Sequence, residues 1–237
     1  LPLQDMEFVQ FHPTGIYGAG VLITEGARGE GAVLLNAHGE RFMERYAPAA
    51  MELSSRDVIS RAIMREIAEG RGCGPKADHV HLSLAHLPED VLRDCLPGIC
   101  DIARRFAQVD ARREPIPVLP VVHYTMGGIA SNAQCDGVDA QGRVVPGLLV
   151  AGEAACASVH GANRLGCNAL LELLVFGKAA GRRAAAMAKT AGNLASLPSA
   201  ALEKPLQRLA RLRESKGLTP PAAIRRAMQQ TMLSSRK

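Results

Sequence analysis

Four short stretches set polar side chains against glycine. His12 precedes Pro13-Thr14-Gly15. Thr24, Glu25 and Arg28 lie in Thr24-Glu25-Gly26-Ala27-Arg28-Gly29-Glu30-Gly31. His123 opens His123-Tyr124-Thr125-Met126-Gly127-Gly128, and Arg164 lies in His160-Gly161-Ala162-Asn163-Arg164-Leu165-Gly166. Glycine beside such groups lets a backbone approach a bound molecule closely. Two histidines, a threonine and an arginine around one cavity suit a small dianion. Arginine grips a carboxylate through two parallel N–H bonds, and histidine and threonine donate to the remaining oxygens. Arg56 is oddly placed: it falls at or just before the first turn of a helix, where the macrodipole disfavours a cation. A bound anion facing it resolves the mismatch; a surface arginine is the plainer reading. Glu153 follows the apolar run Leu148–Ala151. A carboxylate at the end of a parallel strand is suited to sugar hydroxyls, with helix capping as its structural alternative.

The elements that must position these groups are partly legible. Met6–His12 reads as a strand ending at Pro13, followed by a glycine-rich loop from Gly15 to Gly20. Ala32–Asn36 and Glu40–Met43 read as a hairpin across a polar turn. Ser54 or Ser55 caps a helix that Val58, Ile59, Ala62, Ile63 and Ile67 stripe and Gly70 stops. His79–Leu84 alternates as a half-buried strand; His79 and His81 share a face without a third metal ligand. Ile99, Ile102, Ala103 and Phe106 mark a further helix. Pro115, Pro117 and Pro120 predict a stiff connector at a domain crossing. Leu148–Ala151 predicts a parallel strand buried on both faces, and Asn168 to about Lys189 a small-residue helix. Asn193–Ser199 reads as a linker before two tail helices. One carries Leu202, Leu206 and Leu209 and stops at Gly217. The other opens with Thr219 and Pro220.

The whole is an α/β chain of 237 residues, long enough for one large or two small domains. The net charge of +5 invites a nucleic-acid partner, yet residues 201–237 alone carry nine Lys/Arg and two Asp/Glu. The basicity is therefore local, and a solvated or partner-docking helical face is the better reading. The absence of Trp, with three Tyr and five Phe, argues against base stacking. The apolar run Ala169–Phe176 is too short to span a bilayer and contains Glu172. Six cysteines without a CxxC predict free, mostly buried thiols in a reducing compartment. Cys167 is expected to pack. Both ends read as cut from something longer.

Taken together, the motifs resemble the flavoprotein subunit of succinate dehydrogenase and fumarate reductase. They are Gln10-Phe11-His12-Pro13-Thr14-Gly15, the Leu22–Gly31 stretch, Glu40-Arg41-Phe42-Met43-Glu44-Arg45-Tyr46-Ala47-Pro48, Ser55-Arg56-Asp57-Val58, Pro115–Pro120, His123–Ile129, and Gly152-Glu153-Ala154-Ala155-Cys156 through Phe176-Gly177. They follow the family's order over nearly the whole chain. The resemblance implies the end of an FAD-domain segment over 1–9 and an α+β capping domain over 10–118. It further implies the second half of the FAD-binding α/β domain over 119–190 and the start of a helical domain over 191–237. Carried over by position, His12, Thr24, His123 and Arg164 are expected to bind the dicarboxylate. Arg56 is expected to transfer the proton, with Glu25 and Arg28 in its relay. Glu153, Ala169 and Leu170 are expected to contact FAD. The implied reaction is exchange of hydride between flavin N5 and succinate, giving fumarate, or its reverse. The crowd of Arg28, Arg56 and Arg164 would press against the arginine's charge, the direction a proton carrier needs.

The resemblance also implies an iron–sulfur subunit, membrane anchor subunits, and a peripheral place on the inner membrane (cytoplasmic face in bacteria, matrix face in mitochondria). It implies no nucleic-acid partner and no direct insertion into lipid. Three features depart from the family. No Gly-x-Gly-x-x-Gly is present, so the dinucleotide-binding half is missing. The chain stops early in the helical domain. Ala169 stands where serine is usual, and Cys167 where Gly, Ala or Ser is commoner. Two other readings stay open: an L-aspartate oxidase-like flavoenzyme, and a truncated non-catalytic remnant.

Overall fold

Alternation at Val80, Leu82 and Leu84 does produce a strand, and around it a four-stranded antiparallel sheet buries the main core. The computed structural model describes residues 1–190, 196 and 198–234. In chain order its strands are β1 (Leu3–Gln4), β2 (Val9–Ile16), β3 (Val33–Leu35), β4 (Val80–Ser83), β5 (Ile116–Thr125), β6 (Gly128–Ala130), β7 (Asp136–Val138), β8 (Val144–Leu149) and β9 (Ala155–Cys156). The α-helices are α1 (Glu25–Gly29), α2 (Met43–Tyr46), α3 (Arg56–Ala68), α4 (Glu89–Asp94), α5 (Pro97–Ile102), α6 (Asn168–Thr190), α7 (Glu203–Glu214) and α8 (Pro221–Ser234). The large sheet has the order β2-β5-β4-β3, a small one β1-β6-β9, and β7 pairs with β8 alone.

The proline-rich stretch is not a connector. It is β5, a ten-residue strand with a neighbour on each side. Proline is normally excluded from such a place because it cannot donate to the ladder. Here the register absorbs it. His12 pairs with Val121 and Gly15 with Leu119, so Pro13 and Thr14 stand against Pro120 at a bulge. The same bulge carries β2 past Pro13, where the sequence predicts an end. The predicted hairpin over 32–43 is also replaced. β3 pairs with β4, Leu34 opposite Leu82. The Asn36 side chain accepts the His38 and Glu40 N–H groups and turns the chain into α2 instead of a return strand.

The buried cluster includes Ile16, Ile23, Leu34, Phe42, Met43, Ile59, Ile63, Leu82, Leu84 and Ile116, and all of its members lie within 16–118. Each large side chain fully buried there contributes about 1.5–3 kcal/mol. α3 packs across the sheet on Ile59, Ala62 and Ile63, and it ends with Gly70 at φ +80. Glu66, on the same helix, is wholly buried. Burial alone would raise its pKa, but hydrogen bonds from Arg71, Asn36, Tyr46 and Arg45 more than offset this and hold it well below the usual carboxylate range.

Two further expectations shift. Leu148–Ala151 is not a parallel strand buried on both faces: β8 runs antiparallel to β7, and Leu148 and Leu149 are only half-buried. The parallel pairing is instead between β6 and β9, Ile129 opposite Ala155. The helix predicted through Phe106 stops at Ile102, and a π-helical turn, Ala103–Ala107, leads to Gln108 at φ +59. Phe106 faces solvent.

Residues 1–190 form one unit and residues 191–237 another. Most of the predicted linker Asn193–Ser199 lies outside the described residues. In the second unit, α7 and α8 expose Leu206, Leu209, Ile224 and Met228. Among the described residues, no helix is long and apolar enough to cross a membrane.

Candidate active site

Two irregularities in the β2–β5 pairing set the histidines. One is the bulge after His12. The other lies between the pairs Phe11–Val122 and Gln10–Tyr124, where His123 is the unpaired residue. A bulge re-aims the side chain it carries. The His12 and His123 rings meet edge to face, 5.2 Å apart at 69°.

The guanidinium groups reach this pair through side chains on four segments. Arg56 is the first residue of α3. Its Nη2 lies 3.1 Å from Glu25 Oε2, and its Nη1 donates to Gln10 Oε1 at 3.0 Å. Gln10 Nε2 in turn donates to Asn163 Oδ1 at 2.7 Å and to the Arg164 carbonyl. On the other side, Arg28 Nη2 stands 4.0 Å from the same Glu25 oxygen. One line therefore runs Arg28, Glu25, Arg56, Gln10, Arg164. Gly166 closes over it: a Cβ there would lie 3.6 Å from Glu25 Oε2 and 3.9 Å from Arg56 Nη2. Arg164 places its Cζ 4.5 Å above the Tyr124 ring, within cation–π range.

Burial and like charge act together on these groups. Burial, then Arg56, Arg28, His123 and Arg164, push the pKa of His12 down to about 3. Burial, Arg56 and Arg164 also lower that of His123. Both imidazoles are thus neutral near pH 7, each able to donate one N–H. Arg28 and Arg164 are lowered too, first by burial. Arg28 Nε and Nη2 and Arg164 Nε are buried without a hydrogen-bond partner. Orphaned cationic donors are costly unless an anion completes them.

The structure therefore brings together His12, Glu25, Arg28, Arg56, His123 and Arg164. Thr24 is exposed, next to Glu25 at the N-cap position of α1, and makes no side-chain capping bond. Glu153 is exposed, and its Oε1 accepts the Thr125 N–H at 2.9 Å, two residues from His123. Ala169 is half-buried and Leu170 is 66% exposed, both in the first turn of α6. No hydrogen bond or ion pair among the described residues ties Thr24, Ala169 or Leu170 to the cluster. Cys167 is exposed at φ +64 and does not pack as expected.

Sequence reading missed four groups. Gln10 lies two residues before His12, the strand period that places both on one face. Tyr124 OH donates to Glu172 Oε2 at 2.7 Å, and His160 Nε2 lies 2.8 Å from the same oxygen. Glu172 had a signal: it is the one charge inside an apolar run.

The FAD binding domain family matches residues 1–170. The chain belongs to that family. This FAD binding domain chain is 58% identical over 236 residues to the mitochondrial succinate dehydrogenase [ubiquinone] flavoprotein subunit of Oryza sativa subsp. japonica. It is 57% identical over 238 residues to the succinate dehydrogenase flavoprotein subunit of Rickettsia bellii. Those alignments cover 98% and 99% of this chain, but 38% and 40% of the relatives. The chain therefore spans about two-fifths of their length. Among solved structures it is similar to a variant of E. coli quinol fumarate reductase FrdA, with a TM-score of 0.82 and 43% identity, covering 95% of this chain and 40% of that one.

FAD is the cofactor of this family, and the residues present suit part of it. An exposed carboxylate, Glu153, stands at the end of β5 with one oxygen engaged, and α6 begins with exposed apolar surface at Leu170 and Leu171. These are partners for sugar hydroxyls and for a flat apolar ring. The 237 residues contain no Gly-x-Gly-x-x-Gly turn to hold a pyrophosphate.

Proposed function

We propose that this chain is the dicarboxylate-handling part of a succinate dehydrogenase-type flavoprotein that interconverts succinate and fumarate. The observation that carries the reading is the line from Arg28 through Glu25, Arg56 and Gln10 to the backbone of Arg164, beside two imidazoles held neutral. The identity to succinate dehydrogenase flavoprotein subunits supports it.

Arg164 grips one carboxylate, and the orphaned donors of the buried arginines favour an anion. His12, His123 and Thr24 donate to the remaining oxygens and fix the substrate's orientation. Neutral imidazoles hold carboxylates without releasing protons of their own, so proton transfer falls to Arg56. In succinate oxidation Arg56 passes one of its own protons to Glu25, 3.1 Å away, and onward toward Arg28, as it takes the proton from one methylene carbon. In fumarate reduction the order reverses. FAD, when bound, would supply the hydride acceptor for the neighbouring carbon. Glu153 holds its sugar region, and Ala169 and Leu170 border the flavin. Residues 10–118 act as the cap over the substrate and 119–190 as half of the flavin cradle.

Electrons then pass to an iron–sulfur subunit, and anchor subunits hold the complex peripherally at the inner membrane. The test uses the full-length flavoprotein carrying this segment, with FAD bound and an artificial electron acceptor. Wild type is expected to oxidise succinate. Arg56→Lys is expected to lose at least about 100-fold in kcat, the scale of a lost general acid–base, while dicarboxylate binding is largely kept. Oxidation of aspartate but not succinate, or wild-type kcat in Arg56→Lys, overturns the reading.

A further inference from the structure

The aim of Arg28 depends on a turn to which it does not belong. Its side chain is 1% exposed and makes one hydrogen bond, from Nη1 to the backbone carbonyl of Glu52. The direction of the guanidinium therefore rests on where residue 52 puts that carbonyl. Residue 52 sits in a 3₁₀ turn, Met51–Leu53, entered through Met51 at φ +50. A side chain with a Cβ is disfavoured in that left-handed region, so surrounding contacts must hold the turn.

The Glu52 side chain supplies those contacts. It is 3% exposed. Its Oε1 accepts the Leu34 N–H at 3.1 Å, which ties the turn to β3 in the core. Arg41 closes on both oxygens, Nε at 3.1 Å from each and Nη2 at 2.6 Å from Oε2. A bidentate pair of this kind fixes geometry as well as charge. The groups facing Arg28 are Glu25 on its own helix, Arg56 from α3, Glu52 from the turn and His12 from β2. Glu52 is the buried carboxylate among them.

We propose that Glu52, clamped by Arg41, is a positioning residue for proton transfer. It fixes the carbonyl that aims Arg28 toward Glu25, and it keeps a buried carboxylate beside that guanidinium. This rests on the reading of Arg28, Glu25 and Arg56 as one proton route. Glu66 provides the comparison: another buried carboxylate, on α3, clamped by Arg45 and Arg71, with no bond to the relay.

The experiment measures succinate oxidation by the full-length, FAD-loaded flavoprotein as wild type, Glu52→Gln, Arg41→Lys and Glu66→Gln. For Glu52→Gln, kcat is expected to fall between about 10-fold and 100-fold, the scale of a misplaced group, with KM for succinate changed less than about 3-fold. Oxidation requires the relay to accept a proton, so its rate rises with pH. Loss of the Glu52 charge lowers the relay's proton affinity and moves that acid limb to lower pH. Arg41→Lys keeps the charge but loses the fork, so its kcat falls and its limb stays. If Glu52→Gln does not fold, Arg41→Lys decides alone: reduced kcat at constant KM supports the proposal, and unchanged kcat overturns it. Wild-type kcat in both variants, KM rising in step with the loss, or the same kcat and pH change in Glu66→Gln also overturns it. A wild type inactive toward both succinate and fumarate removes the functional reading and this proposal together; an active wild type with unaffected variants removes the proposal alone.

Discussion

Residues 16–118 and helix α6 treat apolar side chains in opposite ways. In the first region Leu34, Phe42, Ile59, Leu82 and Ile116 are fully buried under one helix and one sheet. In α6 the buried residue is Glu172, while Leu170, Leu171, Leu173, Leu174 and Val175 are 54–70% exposed. The first region holds its fold from within. The second is organised around a polar contact, Glu172 with Tyr124 and His160, and its apolar surface contributes little inside this chain. The site lies on the boundary, with His12, Arg28 and Arg56 from the sheet side and Arg164 from the loop before α6. On the proposed reading, the sheet side supplies the proton route and the loop before α6 the carboxylate clamp.

Substitution should expose this contrast directly. Leu82→Ala is expected to destabilise the fold by about 2–5 kcal/mol, the usual cost of a core cavity, whereas Leu174→Ser in this chain stays within about 0.5 kcal/mol. Chemical denaturation of the two variants checks it, and equal losses would erase the distinction between the regions. A smaller effect follows from the buried imidazoles of the sheet. The folded pKa of His12 is about 3, below the ordinary 6.5, so between those values the unfolded chain binds more protons. Stability should fall as the pH drops from 7 to 5, by about 2 kcal/mol for His12. His123 and His81 are lowered as well and act in the same direction. Most carboxylates are still ionised at pH 5, so the loss belongs to histidines. His12→Gln should remove its share, and a pH-independent denaturation midpoint over that window would refute the burial of a neutral ring.

Much of this was legible in sequence where the signal is local. Apolar spacing located α3 and α6, and alternation located β4. Motif order gathered His12, Glu25, Arg28, Arg56, His123 and Arg164 before any contact was visible. What escaped depends on partners distant in the chain. Three prolines argue against a central strand unless Pro13 and Pro120 are known to share a bulge. Ala32–Asn36 looks like half of a local hairpin until β4 arrives from residue 80. Glu52 carries no signal of its own, and Gln10 only the strand period it shares with His12. Each matters because of an arginine it meets, Arg56 at 3.0 Å and Arg41 at 2.6 Å, brought there by tertiary packing.

The most direct measurement is a crystal structure of the full-length flavoprotein with fumarate bound. One carboxylate is predicted on Arg164, the other oxygens within hydrogen-bond reach of His12 and His123, and a guanidinium nitrogen of Arg56 facing an olefinic carbon. Fumarate seated elsewhere, with these four side chains making no contact to it, would contradict the account.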